Sequence, residues 1–273
     1  MASHNEANAA FWNGLCGSHL ARVLGITDDS PQSLARYDAW YLEYYSYLED
    51  AIRFTELAGK DVLEIGLGYG VVGQRLAESG ANYLGLDIAE GPVDMMRHRL
   101  AQSGLPGDAR QAAFPESGLA DASFDQVVAI GCFHHTGALQ GCIEETWRLL
   151  RPGGVAVVMV YNRHSYRHFL ESPRQTLASV VRDALGLAPA TPPQCSATSL
   201  AGYDSDEVGQ LAPFTEFVSI RQAKSLFREF RSLRVWKENC ADERFFGRWF
   251  KRDVLRPLLG PLVGTDLYIR AEK

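Results

Sequence analysis

The segment Glu64-Ile65-Gly66-Leu67-Gly68-Tyr69-Gly70 closes a short β-branched run that begins at Asp61, and a helical pattern opens at Val71. Three glycines between a strand and a helix constrain the fold more than any other feature of this chain. They let the backbone turn sharply, and they let a ligand approach it with no Cβ in the way. The helix that follows directs its first amides at that ligand. Seventeen residues after Gly70, Asp87 closes a second strand (residues 83–86), where a carboxylate can accept both hydroxyls of a ribose. Together the glycines and Asp87 point to a ligand that carries a nucleoside.

The central section keeps the same alternation. Residues 71–79, 92–102 and 143–150 read as helices. Phe124–Ile130 and residues 155–160 are apolar runs suited to burial on both faces of a sheet. Such strand–helix–strand units predict a parallel, doubly wound sheet.

Before this section, residues 1–58 read as a helical cap. Ser30 can cap a helix and Pro31 suits its first position. Tyr37, Trp40, Tyr41, Tyr44, Tyr45, Leu48 and Ile52 then follow at the spacing of three and four that marks an amphipathic helix. After the fifth strand an irregular insertion is expected at about residues 163–218, with a Pro-, Ser- and Gly-rich stretch at 188–202. A helix at 220–230, a strand at 233–236, a helix at 245–259 and a strand at 265–270 complete the reading. The expected organisation is an N-terminal cap over 1–58 and a binding domain over 59–273 that carries the lid insertion.

Composition excludes several classes. With 46% hydrophobic and 11% aromatic residues the chain buries a substantial core and is not disordered. No apolar run approaches the ~18 residues of a membrane helix, and the first residues lack a signal peptide's basic and apolar regions. The five cysteines (Cys16, Cys132, Cys142, Cys195, Cys240) are scattered, with no Cys-x-x-Cys pair. Reduced thiols in a cytoplasm are expected, with no disulfide framework and no metal site. A net charge of −6 gives no attraction to polyanions, so nucleic acid is not an expected partner.

Gly68-Tyr69-Gly70-Val71-Val72-Gly73 also satisfies the dinucleotide fingerprint G-x-G-x-x-G. Two features argue against a dinucleotide: the glycines start earlier, at Gly66, and the acidic Glu64 precedes them in the strand. An acid suits an amino-acid ammonium and not a pyrophosphate.

Five blocks carry a family resemblance: Val62–Gly70, Gly85-Leu86-Asp87, Ala122–Val127, Gly131-Cys132-Phe133-His134-His135, and Glu145–Gly154. In these blocks the chain resembles the class I S-adenosylmethionine-dependent methyltransferases, of the group that acts on small molecules and quinones. The resemblance covers residues 59–161 and implies an α/β, Rossmann-like sheet with S-adenosylmethionine as cofactor. It implies that Glu64, Gly66 and Gly68 line the methionine part of the cofactor, that Asp87 binds the ribose, and that Ile88 packs on the adenine. Gly131 would face the sulfonium. Ala113 stands where many relatives have an Asp, so that contact is either missing or made by the backbone of Ala113 and Phe114.

The remaining candidates come from residue chemistry. His134-His135 offers a base near neutral pH, with a strand-ending role as the plain alternative. Tyr161-Asn162 follows the fifth strand at the edge where open α/β sheets place ligands; His134, Tyr161 and Asn162 are the expected catalytic residues. Tyr37 and Tyr45 of the aromatic stripe are expected against the cofactor, because ring faces attract a sulfonium cation; core packing is the alternative. Arg244, Arg248, Lys251, Arg252 and Arg256 read as a solvated basic face. The expected function is methyl transfer to a small-molecule nucleophile. A second reading uses the same cofactor without methylation, as in the azetidine-2-carboxylate synthases that resemble methyltransferases: cyclisation with release of methylthioadenosine. A cofactor-binding module without catalysis is the third.

Overall fold

Strand β1 (Asp61–Ile65) has four of its five residues buried and lies in the middle of a seven-stranded sheet. The computed structural model describes residues 2–15, 18–187, 200, 203–204, 210–240 and 252–273. The other strands are β2 (Asn82–Asp87), β3 (Asp108–Gln111), β4 (Phe124–Ile130), β5 (Leu150–Tyr161), β6 (Ser232–Glu238) and β7 (Asp266–Glu272). Their order is β3-β2-β1-β4-β5-β7-β6. The first five are parallel, with Leu63 beside Leu84 and Val127, and Val127 beside Ala156. β7 enters antiparallel between β5 and β6, placing Ile269 between Val158 and Val235.

Because successive strand residues face opposite sides, this sheet separates two cores. Leu63, Val127 and Val158 face α7 (Leu139–Leu149) and α10 (Ile220–Leu226), where Ile143 and Ala223 are buried. Their chain neighbours Val62, Val128 and Val157 face α5 (Val71–Glu78), α6 (Glu90–Ser103) and α4 (Leu48–Ile52). Apolar runs are therefore required in β4 and β5, since both faces are covered.

The N-terminal segment comprises α1 (Ala2–Leu15), α2 (Ser18–Val23) and α3 (Pro31–Tyr44). α3 begins as its sequence predicts: Ser30 accepts from the Ser33 amide, and Pro31 fills the first turn. Its attachment to the sheet is electrostatic as well as apolar. The Arg99 guanidinium, fully buried on α6, donates Nη1 and Nη2 to the two Asp38 carboxylate oxygens, each at 2.9 Å. Nη1 also reaches Gln74 Oε1 at 2.8 Å. α1 is pinned at two points. Asn8 Nδ2 donates to the His135 carbonyl at 2.9 Å, and Asn13 Oδ1 accepts from the Gly91 amide at 2.7 Å.

Three expectations change. β3 was not expected: only Ala109 of its four residues is buried, so no apolar run marks it, and pairing with β2 holds it. Part of the expected irregular insertion is helical, as α8 (Tyr166–Glu171) and α9 (Pro173–Ala184), while residues 188–199 and 201–202 lie outside the described residues. The late helix is described as α11 (Arg252–Val263). Its basic residues are not a solvated face. Arg252 lies 3.6 Å over the Tyr44 ring and Arg256 reaches Glu238 Oε2 at 3.4 Å, which buries their stems against aromatic and acidic neighbours. Arg244, Arg248 and Lys251 lie outside the described residues, as do Cys16 and Cys195.

Asp38→Ala removes one partner of a buried pair and strands the Arg99 charge. The expected cost is about 3 kcal/mol in urea unfolding.

Candidate active site

The turn after β1 is built from left-handed glycines: Gly66, Gly68 and Gly70 have φ of +79°, +52° and +79°. A non-glycine residue is strained at such values. The turn is held by Asp87. Its Oδ2 accepts from the Leu67 amide at 2.8 Å and its Oδ1 from the Ala89 amide at 2.9 Å. A carboxylate has about four acceptor positions, so Asp87, which lines the cavity described next, keeps capacity for a ligand. Burial pushes its pKa up, and the backbone amides oppose that shift.

A cavity of about 280 Å³ opens at the carboxyl ends of β1 to β5. On the β2–β3 side its wall is Asp87, Ile88, Pro92, Ala112 and Phe114. On the β4–β5 side stand Gly131, Cys132, His135, Met159 and Tyr161, with Asp204 from the insertion. Trp12, Tyr41 and Tyr45 of the N-terminal segment complete it. The two glycines of the turn that line this space do so for different reasons. A Cβ on Gly66 would fall 2.5 Å from Cys132 Cβ, whereas a Cβ on Gly68 would meet no atom within 4 Å. Gly66 is thus required by packing, and Gly68 leaves open the space beside the turn.

The expected residues separate into two groups. Gly66, Gly68, Asp87, Ile88, Phe114, Gly131, Tyr45 and Tyr161 share the cavity wall. Glu64, Ala113, Tyr37, His134 and Asn162 are not part of that wall. Glu64 is buried near the turn, accepts from the Tyr83 hydroxyl at 2.5 Å, and is pushed up to about 8 by burial. Ala113 lies between two lining residues. Tyr37 stands one turn before Tyr41 and packs its ring 4.3 Å from Tyr69. His134 is fully buried, its ring 4.1 Å from those of both His135 and Tyr161. Of the histidine pair, His135 is the one that reaches the cavity. Asn162 is a structural residue: Nδ2 donates to the Gly264 carbonyl at 2.7 Å and Oδ1 accepts from the His164 amide at 3.0 Å.

Asp204 was missed altogether. It accepts from the Tyr161 hydroxyl at 2.7 Å, and no local pattern in the insertion announces it. Burial and the neighbouring Asp204 carboxylate push the Tyr161 hydroxyl well above the ordinary tyrosine range.

An antiparallel strand between β5 and β6 distinguishes this sheet from the dinucleotide-binding order 3-2-1-4-5-6. Residues 63–158 match the family described as "Methyltransferase domain". Over that segment the chain is similar to a methyltransferase domain. It is similar to the ubiquinone biosynthesis O-methyltransferases of Pseudomonas aeruginosa strain UCBPP-PA14, 33% identical over 111 residues, and of Stutzerimonas stutzeri, 34% over 109. In both cases the match covers 40% of this chain and 47% of the relative, so the chain spans about half the length of the curated relatives it matches. Among solved structures it is similar to an S-adenosylmethionine-dependent methyltransferase from Mesorhizobium loti, with a TM-score of 0.55, 14% identity, and coverage of 85% of this chain and 100% of that one. A possible histamine N-methyltransferase from Thermotoga maritima gives a TM-score of 0.51 and 18% identity, covering 88% and 95%. At these identities the likeness is one of fold.

Within the matched segment, Glu64 generates a pH prediction. An acid raised from 4.5 to about 8 in the folded state binds its proton more tightly there than in the unfolded chain. Its contribution to stability is then full below pH 4.5 and lost as pH rises through about 8. Glu64→Gln should flatten the decline of the urea midpoint across that window relative to the parent protein.

Proposed function

We propose that this chain transfers the methyl group of S-adenosylmethionine to a small-molecule nucleophile. The observation that carries the reading is a single cavity at the carboxyl edge of a class I sheet that joins Gly68 and Asp87 to the Tyr41, Tyr45 and Tyr161 wall. The residues fit such a cofactor on two counts. The space beside Gly68 is one that a side chain would fill, and Asp87 retains acceptor capacity toward the cavity.

Asp87 would hold the ribose, with Ile88, Ala112 and Phe114 around the adenine. Gly68 would leave room for the methionine part, beside Gly131. When bound, S-adenosylmethionine supplies a methyl group already activated on a positively charged sulfur. The work left to the protein is alignment of the acceptor with that methyl group. Tyr41, Tyr45 and Tyr161 offer ring faces suited to a cation. Trp12, brought there by α1, lies with its ring 4.8 Å from His135 and covers the same side from above. The N-terminal helices thus act as a cap that keeps water from the reacting atoms. Glu64, which is not part of the cavity wall, is paired with the Tyr83 hydroxyl instead. The acceptor is a small molecule rather than nucleic acid, in keeping with the net charge of −6. No described helix is long and apolar enough to cross a membrane, and the scattered thiols suit a cytoplasmic setting.

Calorimetry should show binding of S-adenosylmethionine and S-adenosylhomocysteine and none of NAD. Asp87→Ala should weaken that binding by about 1.5–3 kcal/mol, the value of hydrogen bonds to a charged group. Gly68→Val, with a β-branched side chain at a left-handed position, should abolish it. Incubation with S-adenosylmethionine alone, followed by mass spectrometry, tests the reaction. The cofactor should stay intact until an acceptor is added, and methylthioadenosine with a cyclic amino acid would overturn methyl transfer.

A further inference from the structure

On the β4–β5 side of the cavity, His134, His135 and Asp204 bring their ligating atoms within 4.8 Å of one another. The proton on His135 can be located from its neighbours. Nδ1 lies 2.7 Å from the Phe214 carbonyl oxygen, which can only accept, so Nδ1 carries hydrogen, and in the neutral ring Nε2 presents a lone pair. That Nε2 lies 3.3 Å from Asp204 Oδ2 and has no hydrogen-bond partner among the described residues. With no cation between them, proton or metal, two electron-pair donors would stand against each other at the wall of a buried site. His134 adds a third: it is fully buried, and neither of its ring nitrogens has a hydrogen-bond partner among the described residues. Buried imidazole nitrogens are normally satisfied, and an exception needs an account.

A cation answers all three observations together. Around a tetrahedral ion with bonds of about 2.0–2.2 Å, ligand atoms stand roughly 3.3–3.5 Å apart. His135 and Asp204 already have that spacing. His134 reaches it by a movement on the order of 1 Å, within the play of a side chain about a ligand. The outer contacts also suit a metal. A metal-bound histidine typically donates its other ring N–H to a carbonyl, as His135 does to Phe214, and a ligating carboxylate is itself hydrogen-bonded, as Asp204 is by Tyr161.

We propose that His134, His135 and Asp204 bind one divalent cation of the zinc type at the wall of the cavity. Two imidazoles and one carboxylate favour a first-row transition ion over magnesium, which prefers an all-oxygen shell. Three protein donors leave a fourth position for a ligand, and His135 and Asp204 line the cavity from which it would come. The cysteine pattern gave no hint of this site, because its donors are two neighbouring histidines and an aspartate some seventy residues later. Metal binding is independent of the methyl-transfer reading and is measured without turnover.

The test uses the full chain without a histidine tag, stripped with a chelator. Zinc chloride is titrated in competition with a chromophoric chelator, and cobalt chloride is added to a separate sample. One zinc per chain is expected, together with the intense visible absorption of tetrahedral cobalt. His134→Gln, His135→Gln and Asp204→Asn should each weaken zinc at least tenfold. Circular dichroism and thermal unfolding confirm the fold of each variant; if the buried His134→Gln fails to fold, the other two decide. Substoichiometric zinc would overturn the proposal and leave a proton as the bridging cation. So would zinc that binds His135→Gln and Asp204→Asn as tightly as the parent chain.

Discussion

The Asp87 carboxylate ties together the two backbone segments on which the cavity rests. One oxygen holds the Leu67 amide in the glycine turn after β1, and the other holds the Ala89 amide after β2. A turn with three left-handed glycines has little stiffness of its own, because glycine retains many conformations in the unfolded chain. The carboxylate replaces that missing stiffness with two charge-assisted bonds in a buried setting. The position of α5, the opening beside Gly68 and the start of α6 all follow from it. The same side chain faces the cavity, so the scaffold and the ligand share one functional group.

Above that floor the N-terminal helices are attached by polar contacts as well as by the apolar cluster of Ala21, Ile26, Tyr37 and Val71. The Arg99–Asp38 pair fixes α3 to α6, and Asn8 and Asn13 fix α1 to the turn after β4 and to the first turn of α6. Such contacts demand a particular orientation, whereas apolar packing tolerates sliding. The orientation matters because Tyr41 and Tyr45 lie one helical turn apart on one face of this segment, and both reach the cavity wall.

Much of the sheet was legible because burial on both faces leaves an apolar run that nothing else explains. Asp61–Ile65 and Phe124–Ile130 coincide with the structure. β3 left no such trace, since Asp108–Gln111 is stabilised by its ladder to β2 and buries only Ala109. The site divides along the same line. The glycines and Asp87 act through the local backbone, and local chemistry is readable. The choice between His134 and His135 depends on how a single turn of 3-10 helix (Phe133–His135) points adjacent side chains, which residue type does not encode. Asp204 depends on a long chain path that returns to Tyr161, and nothing nearby in sequence foreshadows it. Tyr37 belongs to the same stripe as Tyr41 and Tyr45, yet Tyr69 takes up its ring first.

The antiparallel entry of β7 also orients the whole molecule for handling. β7 runs away from the cavity, and Lys273 exchanges backbone hydrogen bonds with Gly153 and Gly154 at the opposite end of the sheet. Asn5 stands on the cavity wall itself. Positions 5 and 273 therefore lie at opposite ends of the sheet. A fusion partner, dye or surface linker joined after Lys273 would leave from the rear face and keep the cavity free. The same group placed before Asn5 would crowd the mouth, and a chelating tag there would compete for any ion bound inside.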